Sequence, residues 1–372
     1  MKKIIATVTN DLNQDQRMHR ICGALADMGY DVLLVGRKKQ DSQPLLSQVF
    51  DQKRINCFFS KGVFFYGEYN FRLILFLIFS SQRVVYSVDL DTLFAGGIVS
   101  RLKNIKLIHD AHEYFVEVPE LAGNKFKKML WDRIGKWFIP KADLNITVNR
   151  ELAVVLEKKY GAQFEVIRNT PVIDDEEHIN NFNNRIILYQ GVLNKGRGLE
   201  ELIAAMNNLP DDIVLHIAGE GDLSKKLRAI VKQNNIEKRV KFLGWLSPAQ
   251  LKEATKKATI GLNLLSSDSL NYKYSLANKF FDYMHAEVPS INMDFPVYRR
   301  ICSAYPVGLC IPDLHIDSIS EAILSILESK ETYNSFVLEC KCAKYLFCWE
   351  KEAAELKRMV EGSFGLNSHL IE

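Results

Sequence analysis

The sequence predicts an α/β protein built from two doubly wound parallel sheets, and three observations carry that expectation. Short apolar runs alternate with segments of helical periodicity, as they do in parallel β-α-β units. The alternation stops once, in a polar stretch near the middle of the chain, and then resumes. The length of 372 residues exceeds one ordinary core and fits about two domains.

The first series opens with "KKIIATV", read as a buried strand because Asn10 and Asp11 end the apolar run before the core of a signal peptide could form. A helix over Arg17 to Met28 follows, then the strand "DVLLVG" and, later, the strands "VVYSV", "IKLIHD" and "LNITV". The most apolar stretch, "LILFLIF" at 73–79, is far short of the roughly 20 residues of a membrane-crossing helix, so no such segment is expected.

Residues 168–185, "RNTPVIDDEEHINNFNNR", have no periodicity and carry a proline among asparagines and acids, as an interdomain connection does. The second series is "RIILYQG", a helix over Leu199 to Met206, "IVLHIAG", a helix over Ser224 to Asn234, "VKFLG", "IGLNLL" and "PSINM". The expected division is an N-terminal domain (1–170), a connection (171–184), a C-terminal domain (185–345) and a last helix (346–372) returning towards the first domain.

Composition narrows the function. Apolar residues at 47% and charged residues at 25% describe a globular chain with a sizeable core. A net charge of +3 is too small for a nucleic-acid binder, which needs a basic stripe. Seven cysteines, an odd number, argue for reduced thiols in the cytoplasm, and Cys340, Cys342 and Cys348 lack zinc-ligand spacing.

Ligands of doubly wound sheets bind beyond the carboxyl ends of the strands, so with two sheets the cleft between them is the expected site. In "LYQGVLNKGRGLEELI" a strand ends at Gly191, and Lys195, Gly196, Arg197 and Gly198 precede a helix. Glycines admit a ligand close to the backbone and the arginine fork matches phosphate oxygens, although a tight solvated turn has the same look. "GEGDL" places Gly219 and Gly221 at the next strand end, where an ordinary strand-to-helix turn is the alternative.

In "YSLANKFFDYMHAEVPSI" a helix starting near Ala277 sets Lys279 in its first turn, where unpaired N–H groups and the helix dipole already favour an anion. Asp282, three residues on, shares that face and suits a vicinal diol such as ribose. A solvated Lys–Asp pair is the alternative.

"GVLNKGRGLEELIAAM", "LHIAGEGDL", "VKFLGWLSPAQL" and "NKFFDYMHAEVPSI", in this order and spacing, resemble the C-terminal half of glycosyltransferase family 4, the group 1 glycosyltransferases. The resemblance implies a GT-B fold of two Rossmann-like domains facing across a cleft, and retaining transfer from a nucleotide-sugar without a metal or other cofactor. It implies that Arg197 and Lys279 hold the donor diphosphate, with Gly191, Gly219, Gly221 and Asn278 around the donor and Trp245 of "FLGWL" at the wall behind the nucleobase. Asp282 stands where the second glutamate of the family's paired motif binds ribose. The first glutamate falls on Tyr274, a departure at the contact with the transferred sugar.

The N-terminal half is similar to the same family through "DQRMHRICGALADMGYDVLLVG", "VDLDTL" and "IHDAHE". By that resemblance His112 lies beside the transferred sugar and is counted with Arg197 and Lys279 as catalytic. Asp15, Arg17, Asp91 and Glu113 are acceptor-side candidates. A metal at His109, Asp110, His112 and Glu113 would need a third or fourth ligand from elsewhere and ranks below the reading of His112 beside the sugar, and Asp89 and Asp91 form a D-x-D pattern read as acceptor-side or structural, so no metal site is expected.

"KFKKMLWDRIGKWFIPK", 125–141, mixes cations and rings at helical spacing. It reads equally as a helix covering the sheet or as one lying on an anionic membrane. Together with "FFSKGVFFYGEYNFRLILFLIF" it favours an acceptor delivered at the membrane. The expectation is a cytoplasmic enzyme at the inner face of the plasma membrane, moving a sugar to a glycan or lipid-linked acceptor in cell-surface polysaccharide or glycoconjugate synthesis. The alternatives are a sugar-nucleotide epimerase of GT-B architecture and a non-catalytic nucleotide-binding partner subunit.

Overall fold

The computed structural model describes residues 2–121, 123–176 and 181–364, and the chain divides into two compact units, residues 1–169 with 351–372 and residues 170–350. In the first unit β1 (Lys3–Thr7), α1 (Gln16–Asp27), β2 (Asp31–Arg37), β3 (Asp51–Ile55), α2 (Gly62–Phe79), β4 (Val84–Val88) and α3 (Asp89–Leu102) follow in order. Next come β5 (Lys106–Ala111), α4 (Lys125–Phe138), β6 (Leu144–Thr147), α5 (Arg150–Tyr160) and β7 (Glu165–Val166).

The strands form one parallel sheet in the order β3-β2-β1-β4-β5-β6-β7. β1 and β4 are central, which is why all five residues of "VVYSV" are buried rather than alternating. The order reverses between β1 and β4, and at such a switch point the flanking loops diverge and leave a crevice.

The second unit contains β8 (Ile186–Gln190), α6 (Leu199–Ala205), β9 (Val214–Ala218), α7 (Ser224–Gln233), β10 (Val240–Gly244), α8 (Pro248–Lys256) and β11 (Ile260–Asn263). These are followed by α9 (Leu270–Tyr274), α10 (Asn278–His285), β12 (Ser290–Met293), α11 (Pro296–Ala304), β13 (Gly308–Ile311), α12 (Ile316–Leu327), α13 (Lys330–Ala343) and α14 (Trp349–Phe364), whose residues from 351 belong to the first unit. The parallel sheet runs β10-β9-β8-β11-β12-β13 and reverses between β8 and β11. Its core joins Ile187, Tyr189, Leu215, Ile260, Phe280 and Ile291.

Three strands escape the sequence pattern. β3, "DQKRI", is a charged edge strand with one buried residue, β7 is a two-residue edge strand without a buried residue, and "GLCI" of β13 is a four-residue edge strand. The apolar run 73–79 is the second half of α2, which spans 18 residues and by length and composition alone could cross a membrane. That differs from the expectation of a run too short to do so. In the connection, residues 177–180 lie outside the described residues, and Asp174 is held by Lys252 and Lys256. None of the seven cysteines is in a disulfide.

Candidate active site

In the second unit the loops after β8, β9 and β11 meet at the switch point. Gly191 has φ 134° and its N–H donates to the Ala218 carbonyl at 2.9 Å. Gly219, at φ 138°, donates to the Gly244 carbonyl at 2.7 Å, and a Cβ there would stand 1.9 Å from the Gly191 oxygen. Leu193 N–H donates to the Glu220 carbonyl (3.1 Å) and Leu223 N–H to the Leu193 carbonyl (2.9 Å), which zips the first two glycine loops together. Gly221 packs so tightly on Leu193 that a Cβ would lie 2.7 Å from its nitrogen.

α10 enters this place from the other side. Its first residue, Asn278, is exposed, and its N-cap, Ala277, makes no side-chain cap hydrogen bond, while the Phe280 N–H in the first turn donates to the Ala277 carbonyl at 3.0 Å. Lys279, in the first turn, is 7% exposed. Its Nζ lies 3.8 Å from the centroid of the Tyr189 ring, and a Cβ on Gly191 would be 3.3 Å from it. Among the described residues this Nζ has no hydrogen-bond partner and no ion pair. Burial, together with the nearby Arg197 charge, pushes the Lys279 pKa well below its ordinary range. A buried, unpaired ammonium is costly on its own, and an anionic ligand removes the cost. Lys279 is thus no part of a solvated surface pair.

Arg197 is half-buried over the Tyr272 ring at 5.1 Å, and Tyr272 also donates to the Lys195 carbonyl (3.4 Å). Ser266 N–H holds the Gly196 carbonyl at 2.9 Å, so the 195–198 loop is clasped by the segment after β11. Asp282 accepts from the Gln190 amide at 2.9 Å, and the Gln190 oxygen accepts from Thr255 at 2.8 Å. Trp245, just past β10, is 69% exposed on a segment tied to the Gly219 loop through Gly244. Tyr274 is the last residue of α9, immediately before the turn into α10.

The first unit gathers a second group at its own switch point. Arg17 is buried and makes a two-pronged pair with Asp110, Nη2 to Oδ1 at 2.8 Å and Nε to Oδ2 at 3.1 Å, while Nη1 donates to the Ile167 carbonyl at 2.8 Å. Asp110 also accepts from the Tyr86 hydroxyl (2.7 Å) and meets His112 Nε2 at 3.0 Å. Burial opposes the charge on Asp110, but Arg17 and His112 outweigh it and hold the carboxyl far below the usual range. Burial likewise opposes protonation of His112, yet the Asp110 contact raises its pKa.

His112 N–H donates to Asp89 Oδ1 at 2.9 Å, and Asp89 takes a left-handed φ of 50° to offer that oxygen at the first turn of α3. Asp91, one turn position away, accepts from the Thr9 hydroxyl across the gap between β1 and β4. Burial first, and then the Glu113 charge, raise its pKa to about 7 in spite of the Thr9 bond. Glu113 is near enough to act on both aspartates.

The site residues expected from sequence therefore fall into two groups. Gly191, Arg197, Gly219, Gly221, Trp245, Asn278, Lys279 and Asp282 line adjoining loops of the second unit, and His112, Asp91 and Glu113 lie together in the first. Asp15 and Arg17, taken from sequence as acceptor contacts, have internal tasks. Asp15 caps α1 through Met18 N–H (3.1 Å), and Arg17 neutralises Asp110. Sequence reading missed Tyr189 and Gln190, which end β8 beneath Lys279 and Asp282, and it missed Asp110 as the hub around His112. No periodicity signals such partners. Among the described residues no cluster of three or more His, Cys, Asp or Glu is arranged to hold a metal.

Comparison with known proteins agrees with the fold. The model of glycosyl transferases group 1 matches residues 173–339, and that of Glycosyltransferase Family 4 matches residues 14–171. No curated protein sequence matches the chain. Sucrose-phosphate synthase from Thermosynechococcus elongatus is similar in structure (TM-score 0.80, 16% identity, 99% of this chain and 100% of that one). So is Anabaena HepE in complex with UDP-glucose (TM-score 0.79, 14% identity, 97% and 100%). A putative UDP-N-acetylglucosamine 2-epimerase from Listeria monocytogenes shares the architecture more distantly (TM-score 0.67, 12% identity, 99% and 98%). With two parallel-sheet units of GT-B type and the two family matches side by side along it, the chain belongs to the group 1 glycosyltransferases of family 4 type.

Proposed function

We propose that this glycosyltransferase uses a nucleotide-sugar donor and retains the anomeric configuration on transfer to a glycan or lipid-linked acceptor. The observation that carries the reading is Lys279, a buried ammonium whose Nζ has no hydrogen-bond partner among the described residues, in the first turn of a helix with no side-chain cap and beside two interlocked glycine loops. A diphosphate supplies what that arrangement lacks. The HepE structures contain UDP or UDP-glucose, which supports a donor of this class.

As the glycosidic bond to the diphosphate breaks, negative charge grows on the phosphate oxygens. Lys279, Arg197 and the α10 N–H groups already point their charge at that place, so little reorganisation accompanies the step. Asp282, braced by Gln190, accepts from the ribose hydroxyls, and Trp245 rests against the base. His112, oriented by Asp110 and Asp89, contacts the transferred sugar, while Asp91 and Glu113 serve the acceptor. The acceptor hydroxyl attacks from the face the diphosphate leaves and gives its proton to a departing phosphate oxygen, so the enzyme supplies no nucleophile. The cations stand in for a metal. The setting is the cytoplasmic face of the plasma membrane, in the building of a surface polysaccharide or glycoconjugate.

The test is a panel of nucleotide-sugars screened for thermal stabilisation, followed by product analysis with the best donor, with and without EDTA. Transfer with retained configuration that survives EDTA is expected. An epimerised nucleotide-sugar as the product would move the chain to the epimerase reading, and complete loss with EDTA restored by manganese would overturn metal independence.

A further inference from the structure

A helix covering a sheet needs one apolar face, and α2 has two. Its inner stripe of Phe65, Tyr69, Leu73 and Leu77 is buried at i, i+4 spacing. Half a turn away Phe64, Phe71, Leu75, Ile78 and Phe79 form a second apolar stripe, in which Phe64 is 74% and Phe79 86% exposed. Phe58 and Phe59 extend it, held to the helix because Glu68 accepts from both of their N–H groups. Glu68 and Arg72, the charged residues of α2, pair with each other at 2.8 Å.

α4 repeats the arrangement. Trp131 and Phe138 point inward, while Phe126, Met129, Leu130 and Trp137 remain exposed on the opposite side. Trp131 meets Tyr66 of α2 edge-on at 5.2 Å, and Phe138 meets Phe94 of α3 at 6.3 Å, so α2, α3 and α4 form one layer and the two outer stripes share its surface.

Cations ring this surface. Lys61, Arg101, Lys125, Arg133 and Lys141 are exposed and make no ion pair among the described residues. Lys141 lies over Trp137 at 5.3 Å with the Arg101 charge near it. Apolar rings bordered by unneutralised cations complement a surface that is apolar within and anionic at its boundary. A second copy of the chain would bring the cations against one another.

We propose that the outer face of α2 and α4 docks flat on an anionic lipid bilayer, with the aromatic side chains at the headgroup boundary and the cations towards lipid phosphates. Lying flat uses the outer stripe and leaves Phe65, Tyr69, Leu73 and Leu77 in the core, whereas insertion of α2 across the membrane would strip them out. The donor loops all belong to the other unit, so the docking stands or falls apart from the transfer reaction.

The test uses the full chain with vesicles of phosphatidylcholine alone and of an equimolar mixture with phosphatidylglycerol. Co-sedimentation with the mixed vesicles, weakened by salt, is expected, and each of Arg133→Gln and Lys125→Gln should lower partitioning about fivefold. The double variant Phe64→Ser with Phe71→Ser should lower it at least about tenfold, with circular dichroism and nucleotide binding unchanged because both side chains are exposed. Equal partitioning to both vesicle types would overturn the anionic assignment. Absence of vesicle binding, or a dimer in sedimentation that the same Phe variants dissociate, would overturn the docking face.

Discussion

The ammonium of Lys279 stands 3.8 Å from the centre of the Tyr189 ring and meets no acceptor among the described residues. A group preorganised for charge that appears only as the reaction proceeds should act mainly on the rate. Lys279→Met and Arg197→Ala are each expected to lower kcat by about 10²–10³ and to raise donor KM less. Because both act on one diphosphate, the double variant should lose less than the product of the single losses. Initial-rate kinetics on the four proteins decide it, and single variants with wild-type kcat would remove both residues from the mechanism.

The same lysine predicts a pH dependence. Its folded pKa is depressed, chiefly by burial, so the cation is lost at a lower pH than in the unfolded chain. Affinity for UDP should fall as pH rises through that depressed value, and Lys279→Met should flatten the fall. Between the depressed value and 10.5 the unfolded chain holds the extra proton, so this group makes stability rise with pH. Calorimetric titration and urea midpoints across the alkaline range read the two effects.

Asp282→Ala should weaken UDP, ADP and GDP alike by about ten- to a hundredfold, the scale of a hydrogen bond to a charged group, since ribose is common to them. Gln190→Ala, which frees the carboxylate from its brace at 2.9 Å, should give a smaller loss of the same kind. A loss confined to one nucleotide would place Asp282 against the base instead.

Gly219→Ala tests the glycine loops. At φ 138° a Cβ would stand 1.9 Å from the Gly191 oxygen, so the two loops must part. About 1–3 kcal/mol of stability and most donor affinity should go together, the first measured by urea denaturation. Wild-type affinity would show that the loops are not interlocked at the ligand.

Asp110→Ala should cost about 3–5 kcal/mol, because Arg17 is left buried and unpaired. Arg17→Met with Asp110→Leu, which removes both charges, should recover part of the stability and none of the transfer activity that depends on the His112 contact. Thermal melts beside rate measurements separate the two.

Asp91 gives a second pH window. Its carboxyl keeps a proton up to about 7 in the folded chain and loses it near 3.8 when unfolded, so its contribution makes stability fall as pH rises between these values. Asp91→Asn should therefore gain stability over the wild type as pH passes from about 4 to above 7. An unchanged difference across that range would mean that Asp91 ionises normally.

The local pattern of the sequence was enough for the two sheets, for the helix starting after Ala277 and for the glycine loops at strand ends, because period and turn chemistry are written in neighbouring residues. It failed at β3, whose charged residues sit on an exposed edge that asks for no apolar alternation, and at the first half of α2, where aromatic and polar residues hid the helix that "LILFLIF" completes. Which side chains share a site was decided only by the tertiary structure. Arg17 and Asp110 are 93 positions apart and Gln190 and Asp282 are 92, and a sequence states which face a residue takes but not which distant strand end will carry its partner. The same holds for Lys279. Its place in a first turn was legible, but its burial without a counter-ion follows from β8 and the Gly191 loop closing over it.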